Sequence, residues 1–232
     1  MNRFWPGALT WNHFLVGIVP SEPGRPVAVA VVAQSISPTT RGQHATLDLK
    51  LRHLEEIPGG SSLPEAAARV GELCAALDPL EESGRGVALI LDIGVLGTIL
   101  VDLLDRRMPV VVAITGGAAE GVSGRGVVAL PRREVAAGLL LEAQRGTFRT
   151  ASTLPLAPRF TQALQGFRFR APAGAGDPLD EARREADDNL VLAAGLCVWQ
   201  STREMPGRRG AEVDLRRSGI GDYDPHAALD RW

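Results

Sequence analysis

The chain has 232 residues, which predicts one compact domain with irregular ends, because a domain averages roughly 150 residues. Hydrophobic residues make up 45% of the chain and charged residues 22%, close to the globular average, so the composition excludes wholesale disorder. The formal net charge of −2 excludes a strong overall basic field of the kind that attracts nucleic acid.

Hydrophobic periodicity predicts an antiparallel hairpin followed by a helix in the first third of the chain. The short β-branched run Val27 to Ala33 is typical of a strand. Ala45 to Glu55 alternates apolar and polar residues, which predicts a half-exposed strand antiparallel to the first. A helix is predicted from Leu63 or Pro64 to about Leu77, since its apolar residues recur at helical spacing and proline suits a first turn.

The middle of the chain has the pattern of a strand, a helix and a second strand. Val87 to Leu91 is continuously apolar, which predicts a central strand covered on both faces. A helix is expected over roughly Gly97 to Arg107, and Pro109 to Ile114 forms the next buried strand. The crossover makes the two strands parallel neighbours. A glycine-rich loop, Gly116 to Gly126, follows and is typical of a mobile surface hairpin.

Three further helices are predicted in the last part of the domain. They cover Pro131 to about Gln144, Leu156 to Gly166 and Asp177 to Ser201. A short strand is expected at Thr147 to Thr150, and Phe167 to Ala171 has the pattern of a strand or an extended arm. The fold class is therefore α/β, with a mixed sheet of an antiparallel hairpin and then parallel strands, flanked by helices.

The domain is expected at residues 14–201, after an N-terminal extension at 1–13 and before a loose tail at 202–232. The longest apolar run, Val87 to Leu104, contains two aspartates, so no membrane span is predicted. No signal peptide is expected, and the two cysteines exclude a disulfide framework. These features predict a cytoplasmic protein.

Acidic residues at two positions could hold a metal ion. Asp92 lies at the carboxyl end of a buried strand, where open α/β sheets place their sites, and Asp187 and Asp188 precede the apolar part of the last helix. Such carboxylates can share a divalent cation. The alternative interpretation is local: Asp92 bonds the turn that follows it, and Asp187, Asp188 and Asn189 cap the helix.

Five segments in a fixed order resemble the nuclease domain of phage terminase large subunits. They are HLEEIPGGSSLPEAAARVGEL, LILDIGVLGTILVDLL, PVVVAITGG, LPRREVAAGLLLEAQRGTFRTASTLPLAPRFTQALQGFRFR and DDNLVLAAGLCVW. The resemblance covers roughly Phe14 to Gln200. It implies a ribonuclease-H-like domain that cuts concatemeric DNA during genome packaging. It also implies two Mg²⁺ or Mn²⁺ ions held by acids from the first strand, the fourth strand and the final helix.

Residue by residue, the resemblance retains part of that acidic set. Asp92 matches the fourth-strand acid. On the final helix, Asp188 matches the first aspartate of a His-Asp-Asp-Leu-Val run, while Asn189 stands at the second aspartate and Asp187 at the histidine. Catalytic and metal-binding roles are therefore expected for Asp92, Asp188 and Asp187.

The first-strand acid is where this sequence departs from the family. The family has an acid after Gly-Ile or Gly-Val, and this chain has Val19 after Gly17-Ile18. Valine cannot bind a metal, and Glu22, three residues further on, is the candidate replacement ligand. With one acid missing, the sequence predicts one well-held metal at best and weak cutting, because two close cations need several carboxylates to offset their repulsion.

The resemblance also bears on nucleic acid and nucleotides. Arg125, Arg132 and Arg133 flank the glycine-rich loop, which forms a hairpin near DNA in the family, so they are candidates for phosphate contact. The alternative is that they are ordinary solvated arginines. No Gly-x-x-x-x-Gly-Lys-[Ser/Thr] motif occurs, and Lys50 is the only lysine, so no ATP site is expected.

Three hypotheses follow from these residues. The first is a weakened Mg²⁺- or Mn²⁺-dependent DNA endonuclease that acts on double-stranded DNA in the cytoplasm of a bacterial host, of phage or prophage origin. It would work with a separate terminase ATPase, small terminase or portal protein. The second is a nuclease-like module that no longer cuts and serves DNA binding or assembly. The third is a prophage remnant.

Overall fold

The computed structural model describes residues 11–21, 24–37, 46–82, 86–92, 97–104, 110–115, 121–122, 128–167 and 178–204. Its elements, in chain order, are β1 (Trp11–Val19), β2 (Val27–Ser37), β3 (Thr46–Ile57), α1 (Leu63–Leu77), β4 (Ala88–Asp92), α2 (Gly97–Leu103), β5 (Val110–Thr115), β6 (Gly121–Val122), β7 (Val128–Leu130), α3 (Arg132–Gln144), β8 (Phe148–Thr150), α4 (Ala157–Gly166) and α5 (Pro178–Glu204). Within these ranges, no helix is both long and apolar enough to cross a membrane.

All the strands form one sheet in the order β6-β7-β5-β4-β1-β2-β3-β8. β1, β2 and β3 pair antiparallel in succession, whereas β4 pairs parallel with β1 and β5 pairs parallel with β4. This five-strand centre confirms the predicted ribonuclease-H-like mixed sheet, in which an antiparallel hairpin precedes parallel strands. The short strands β6 and β7 continue the sheet beyond β5, and the short strand β8 continues it beyond β3.

The strands have two buried faces, which explains their apolar sequences. Along β1, Leu15 and Val19 belong to one core with α3, α4 and α5, while Val16 and Ile18 belong to a second core with α1 and α2. Successive side chains of a strand point to opposite faces, so a central strand that is covered on both sides must be apolar throughout.

The helices agree with the sequence pattern at most of their limits, but α2 ends at Leu103, four residues before the expected end near Arg107. α1 covers Leu63–Leu77 as predicted, and its start is fixed by a capping box in which Ser62 and Glu65 bond each other's backbone N–H groups. α3 ends at Gln144, and Gly146 follows with a positive φ of 72°, which glycine adopts without strain. The last helix runs to Glu204, three residues beyond the predicted end at Ser201.

Two strands were not found by periodicity alone. β1 has an almost continuous apolar sequence, so no alternation marks it, and it was located only by the family resemblance at Gly17 to Val19. β7 has three residues, which is too short for a pattern. The glycine-rich loop contains the two residues of β6, which pair antiparallel with β7. The remainder of that loop, residues 168–171 of the predicted arm, and the tail from 205 onward lie outside the described residues.

Candidate functional site

The candidate site lies at the sheet edge where four parallel strands end. β1, β4, β5 and β7 run in the same direction, so their carboxyl ends meet at one edge. Asp92 is the last residue of β4 and Val19 is the last residue of β1. Ile18 pairs with Leu91, so the next residues, Val19 and Asp92, lie side by side at the ends of two neighbouring strands. Neighbouring strands are about 4.8 Å apart.

Asp92 and Val19 lie on the face of the sheet that α5 covers. Alternate residues of a strand point to the same face, so Ala88 and Ile90 share the face of Asp92 on β4. Both belong to the core that contains α5. Asp92 is 3% exposed and Val19 is 1% exposed. The carboxylate of Asp92 therefore sits in a largely water-excluded position, beside a strand end that offers only methyl groups.

The last helix runs antiparallel to β1 and brings its acidic end to the same edge. The Cys197 thiol donates to the carbonyl oxygen of Leu15 at 3.4 Å, and one turn earlier Ala193 lies against Gly17. One turn earlier again, the Asn189 side chain donates to the hydroxyl of Ser21 at 2.8 Å. These contacts place Asp188 and Asn189 at the carboxyl end of β1, beside the strand that ends in Asp92.

Asn189 is the polar residue of this edge whose bonding is best defined. It is 2% exposed, and its Nδ2 donates to Ser21 Oγ, which in turn donates to the carbonyl oxygen of Pro26 at 2.7 Å. Its Oδ1 is buried and has no hydrogen-bond partner among the residues that the structure describes. A buried carbonyl oxygen without a partner calls for an explanation such as a water or a cation.

The other predicted site residues are divided between described and undescribed parts of the chain. Arg132, the first residue of α3, is exposed and follows β7, so it lies at the same sheet edge as Asp92. Two of the remaining predicted residues, Glu22 and Arg125, lie outside the described part of the chain. The same is true of the side chains of Asp187 and Arg133. Their expected roles remain predictions.

The donor set at this edge fits one divalent cation better than two. In the part of the chain that the structure describes, no three His, Cys, Asp or Glu side chains converge as a metal cluster. The residues with oxygen ligands at this end of the sheet are Asp92, Asp188 and Asn189, whose carboxylates and amide oxygen are ligand types that Mg²⁺ accepts. Val19 supplies no donor at the position of the first-strand acid.

The sequence singles out Asp92 and Asp188 as candidates but not Ser21. Asp92 is a candidate because it ends a buried strand, and Asp188 because it precedes the apolar part of the last helix. Ser21 lies in a proline-rich turn and is 168 residues from Asn189, so no local pattern joins the two. The available signal was a small hydroxyl residue directly after the first strand, between Pro20 and Pro23.

A groove with a different chemistry lies beside the outermost strand β8. It is an open groove of about 450 Å³ between the end of β8 and α4, with Thr150, Ser152, Thr161, Gln162 and Gln165 among its lining residues. Its polar groups are hydroxyls and amides, which do not activate water as carboxylates or metal ions do. The groove therefore offers no carboxylate to a metal ion.

No family model matches the chain, and no curated protein sequence matches it either. Among solved structures, the large terminase nuclease of the thermophilic phage G20c is 14% identical, with a TM-score of 0.46, and the match covers 82% of each chain. The human cytomegalovirus terminase nuclease domain is 11% identical, with a TM-score of 0.46, and the match covers 82% of this chain and 84% of that one. RuvC of Thermus thermophilus is 12% identical, with a TM-score of 0.32 and coverage of 85% and 97%. The structural neighbours of the chain thus include terminase nuclease domains.

Proposed function

We propose that this chain is a metal-dependent DNA endonuclease domain of the terminase type, related to phage genome packaging, whose site is reduced to one cation. One observation carries the proposal: antiparallel packing of α5 on β1 puts the helix turn that contains Asp188 beside the carboxyl end of β1, next to the strand that ends in Asp92. These are the two positions at which the sequence retains the acids of the terminase pattern. Packing that puts both at one edge is what a shared cation needs.

Each residue of the edge has a distinct part in the proposed chemistry. When bound, a divalent cation supplies an activated water and a counter-charge for the oxygens of a phosphodiester. Asp92 would hold the cation from the end of a central strand, while Asp188 and Asp187 would add carboxylates from the helix, and Glu22 is the candidate for a further ligand. Val19 keeps the strand end apolar. Arg132, together with Arg125 and Arg133, would contact backbone phosphates and orient the duplex.

The reduced charge of the site predicts weak cutting. A two-metal site holds its ions about 3.5–4 Å apart, where their repulsion has to be offset by several carboxylates. This chain has valine and asparagine at two of the positions where the pattern has acids. In the proposed setting, the bacterial cytoplasm, a separate terminase ATPase would drive the DNA, with a small terminase or a portal protein as further partners.

The buried methyl groups of Val19 favour a second candidate function, a module that binds DNA or an assembly partner without cutting. Val19 is 1% exposed and belongs to the apolar core, so the first-strand position is fully converted from ligand to packing. A prophage remnant is the limiting case of this alternative, in which binding as well as cutting has been lost.

A plasmid-nicking assay in Mn²⁺ separates these candidates. We expect slow nicking by the wild type and none by Asp92→Asn, while Asp102→Asn, a change at an exposed aspartate of α2, leaves the rate unchanged. If the wild type does not nick the plasmid but Val19→Asp does, the result would favour a degenerate nuclease whose site is otherwise intact. Silence from all of these variants would contradict the endonuclease proposal and leave the binding module.

A further inference from the structure

The hydrogen bonds around Ser21 fix the orientation of the Asn189 side chain. A serine hydroxyl has one proton to donate and two lone pairs to accept with. The carbonyl oxygen of Pro26 carries no hydrogen, so in this contact of 2.7 Å the proton must come from Ser21. The hydroxyl oxygen can then only accept from Asn189, and it therefore selects the Nδ2 group as its neighbour. The amide oxygen of Asn189 must point the other way.

Several described residues near Ser21 are themselves held in place. Pro20 and Pro26 each fix one backbone dihedral in it. Gly24 has a positive φ of 88°, and its backbone lies so close to Gly59, in the turn before α1, that a Cβ on Gly59 would meet the carbonyl oxygen of Gly24 at 2.2 Å. The described residues on both sides of positions 22–23 are thus restricted, and Ser21 meets α5 through its hydroxyl.

We propose that Ser21 is a positioning residue for the cation site, which acts by orienting Asn189 so that its amide oxygen, not its amide nitrogen, is offered to the cation. This inference rests on the proposed function. An amide whose nitrogen faced the site would present two N–H donors to a cation and repel it. Fixing the orientation in advance means that no rotation has to occur when the ion binds, and groups that orient ligands in this way are worth about 10–100-fold in metal affinity.

The test measures Mn²⁺ binding by electron paramagnetic resonance, in the absence of DNA, so that its readout does not depend on cutting. We expect Ser21→Ala to lower Mn²⁺ affinity about 10–100-fold and Ser21→Thr, which keeps the hydroxyl, to retain most of it. Ser152→Ala, at an exposed serine, serves as the matched control and should bind as the wild type does. Thermal unfolding without metal establishes that each variant is folded.

A double-mutant cycle tests whether Ser21 acts through Asn189. Asn189→Ala removes the amide oxygen itself, so we expect Ser21→Ala to cause no further loss of Mn²⁺ affinity in that background. Independent, additive losses would overturn the inference, because they would mean that Ser21 stabilises only the turn. This comparison also decides the matter if Ser21→Ala alone is less stable than the wild type.

The failure of this inference is distinguishable from the failure of the proposed function. If the wild type binds Mn²⁺, Asp92→Asn abolishes that binding and Ser21→Ala binds normally, the cation site stands and the role of Ser21 is overturned. If the wild type binds no Mn²⁺ at millimolar concentration, both the cation site and the role of Ser21 are overturned. A water would then be the partner of Asn189 Oδ1.

Discussion

Val19 and Asn189 each put an uncharged side chain where the terminase resemblance implies a carboxylate. Close carboxylates repel each other when no cation lies between them, so a fully acidic edge would be strained in the metal-free protein. Replacing two of the acids by valine and asparagine removes two negative charges from this edge. The proposed cation site would therefore tolerate loss of its ion well, at the cost of affinity for that ion.

Gln34 is a residue where a single change should stabilise the protein. Its side chain, on β2, is fully buried, and neither its Nε2 nor its Oε1 has a hydrogen-bond partner among the described residues. Burying an unsatisfied polar group costs about 1–3 kcal/mol. Gln34→Met keeps the length of the side chain and removes the polar atoms, so we expect the free energy of unfolding in urea to rise by about 1–3 kcal/mol.

Gln162→Met is the matched control for that substitution, because Gln162 is exposed on α4 and its amide is hydrated in both the folded and the unfolded chain. It should change the free energy of unfolding by less than about 0.5 kcal/mol. A loss of stability in Gln34→Met would contradict the prediction and would show that the amide of Gln34 bonds an ordered water.

At the scale of elements, α5 depends on two glycines for its close packing. A Cβ on Gly17 of β1 would lie 2.0 Å from the carbonyl oxygen of Ala193, and a Cβ on Gly195 would lie 2.6 Å from Cγ1 of Val135 on α3. The helix thus packs closely against both the sheet and α3, and neither Gly17 nor Gly195 has room for a methyl group. Any shift of α5 along β1 would carry Asp188 and Asn189 with it.

Gly17→Ala should therefore destabilise the fold and displace Asp188 and Asn189 from the end of β1. Forcing a methyl group into this contact costs about 1–3 kcal/mol or more, which we expect as a fall in the midpoint of urea unfolding. Gly138→Ala is the matched control, since Gly138 lies in α3 with no atom within 4 Å of its Cβ position. That change should stabilise the protein by about 0.8–1 kcal/mol through helix propensity. Equal effects of the two changes would contradict the packing argument.

The same elements show how far sequence patterns reach. α1 could be predicted from Leu63 or Pro64 to about Leu77 because an amphipathic pattern and a first-turn proline agree on its limits, and the structure adds the capping serine that fixes its start. β1 could not be found by periodicity, because a strand buried on both faces has no alternation to detect. Asp92 and Asp188 could be predicted as separate candidates. The antiparallel docking that brings them to one edge depends on long-range packing, which no local pattern specifies.

At the scale of the whole molecule, the two helical layers are tied to the same end of β3. Glu55 accepts hydrogen bonds from Arg69 of α1 at 2.8 and 3.1 Å, and the next residue, Glu56, accepts two from Arg159 of α4. Adjacent residues of a strand point to opposite faces, so each carboxylate binds the helix on its own side of the sheet. Two ion pairs thus join three layers at the end of one strand.

Low pH should weaken the ion pair between Glu55 and Arg69. The hydrogen bonds from Arg69, followed by the one from His53, hold the pKa of Glu55 below its usual value. A lowered carboxyl pKa in the folded state adds stability that is present above about pH 5 and is lost as the pH falls through the folded pKa. Glu55→Gln should therefore cost about 0.2–1 kcal/mol at neutral pH and nearly nothing at about pH 2.

Urea unfolding of the wild type and Glu55→Gln at both pH values measures that difference, with Asp102→Asn as an exposed carboxylate control. A gap between wild type and Glu55→Gln that persists undiminished at low pH would mean that packing, not charge, accounts for it.

The packing of α5 on β1 joins the beginning of the described chain to its end, since Asn189 follows Ser21 by 168 positions in the sequence. A ribosome that adds about 5–20 residues per second needs on the order of ten to thirty seconds to make that stretch. Throughout this interval, the nascent hairpin lacks the helix that covers one of its faces. A chain whose translation stops early contains neither Asp188 nor Asn189. The order of synthesis therefore ensures that only a chain translated through α5 can assemble the acidic edge.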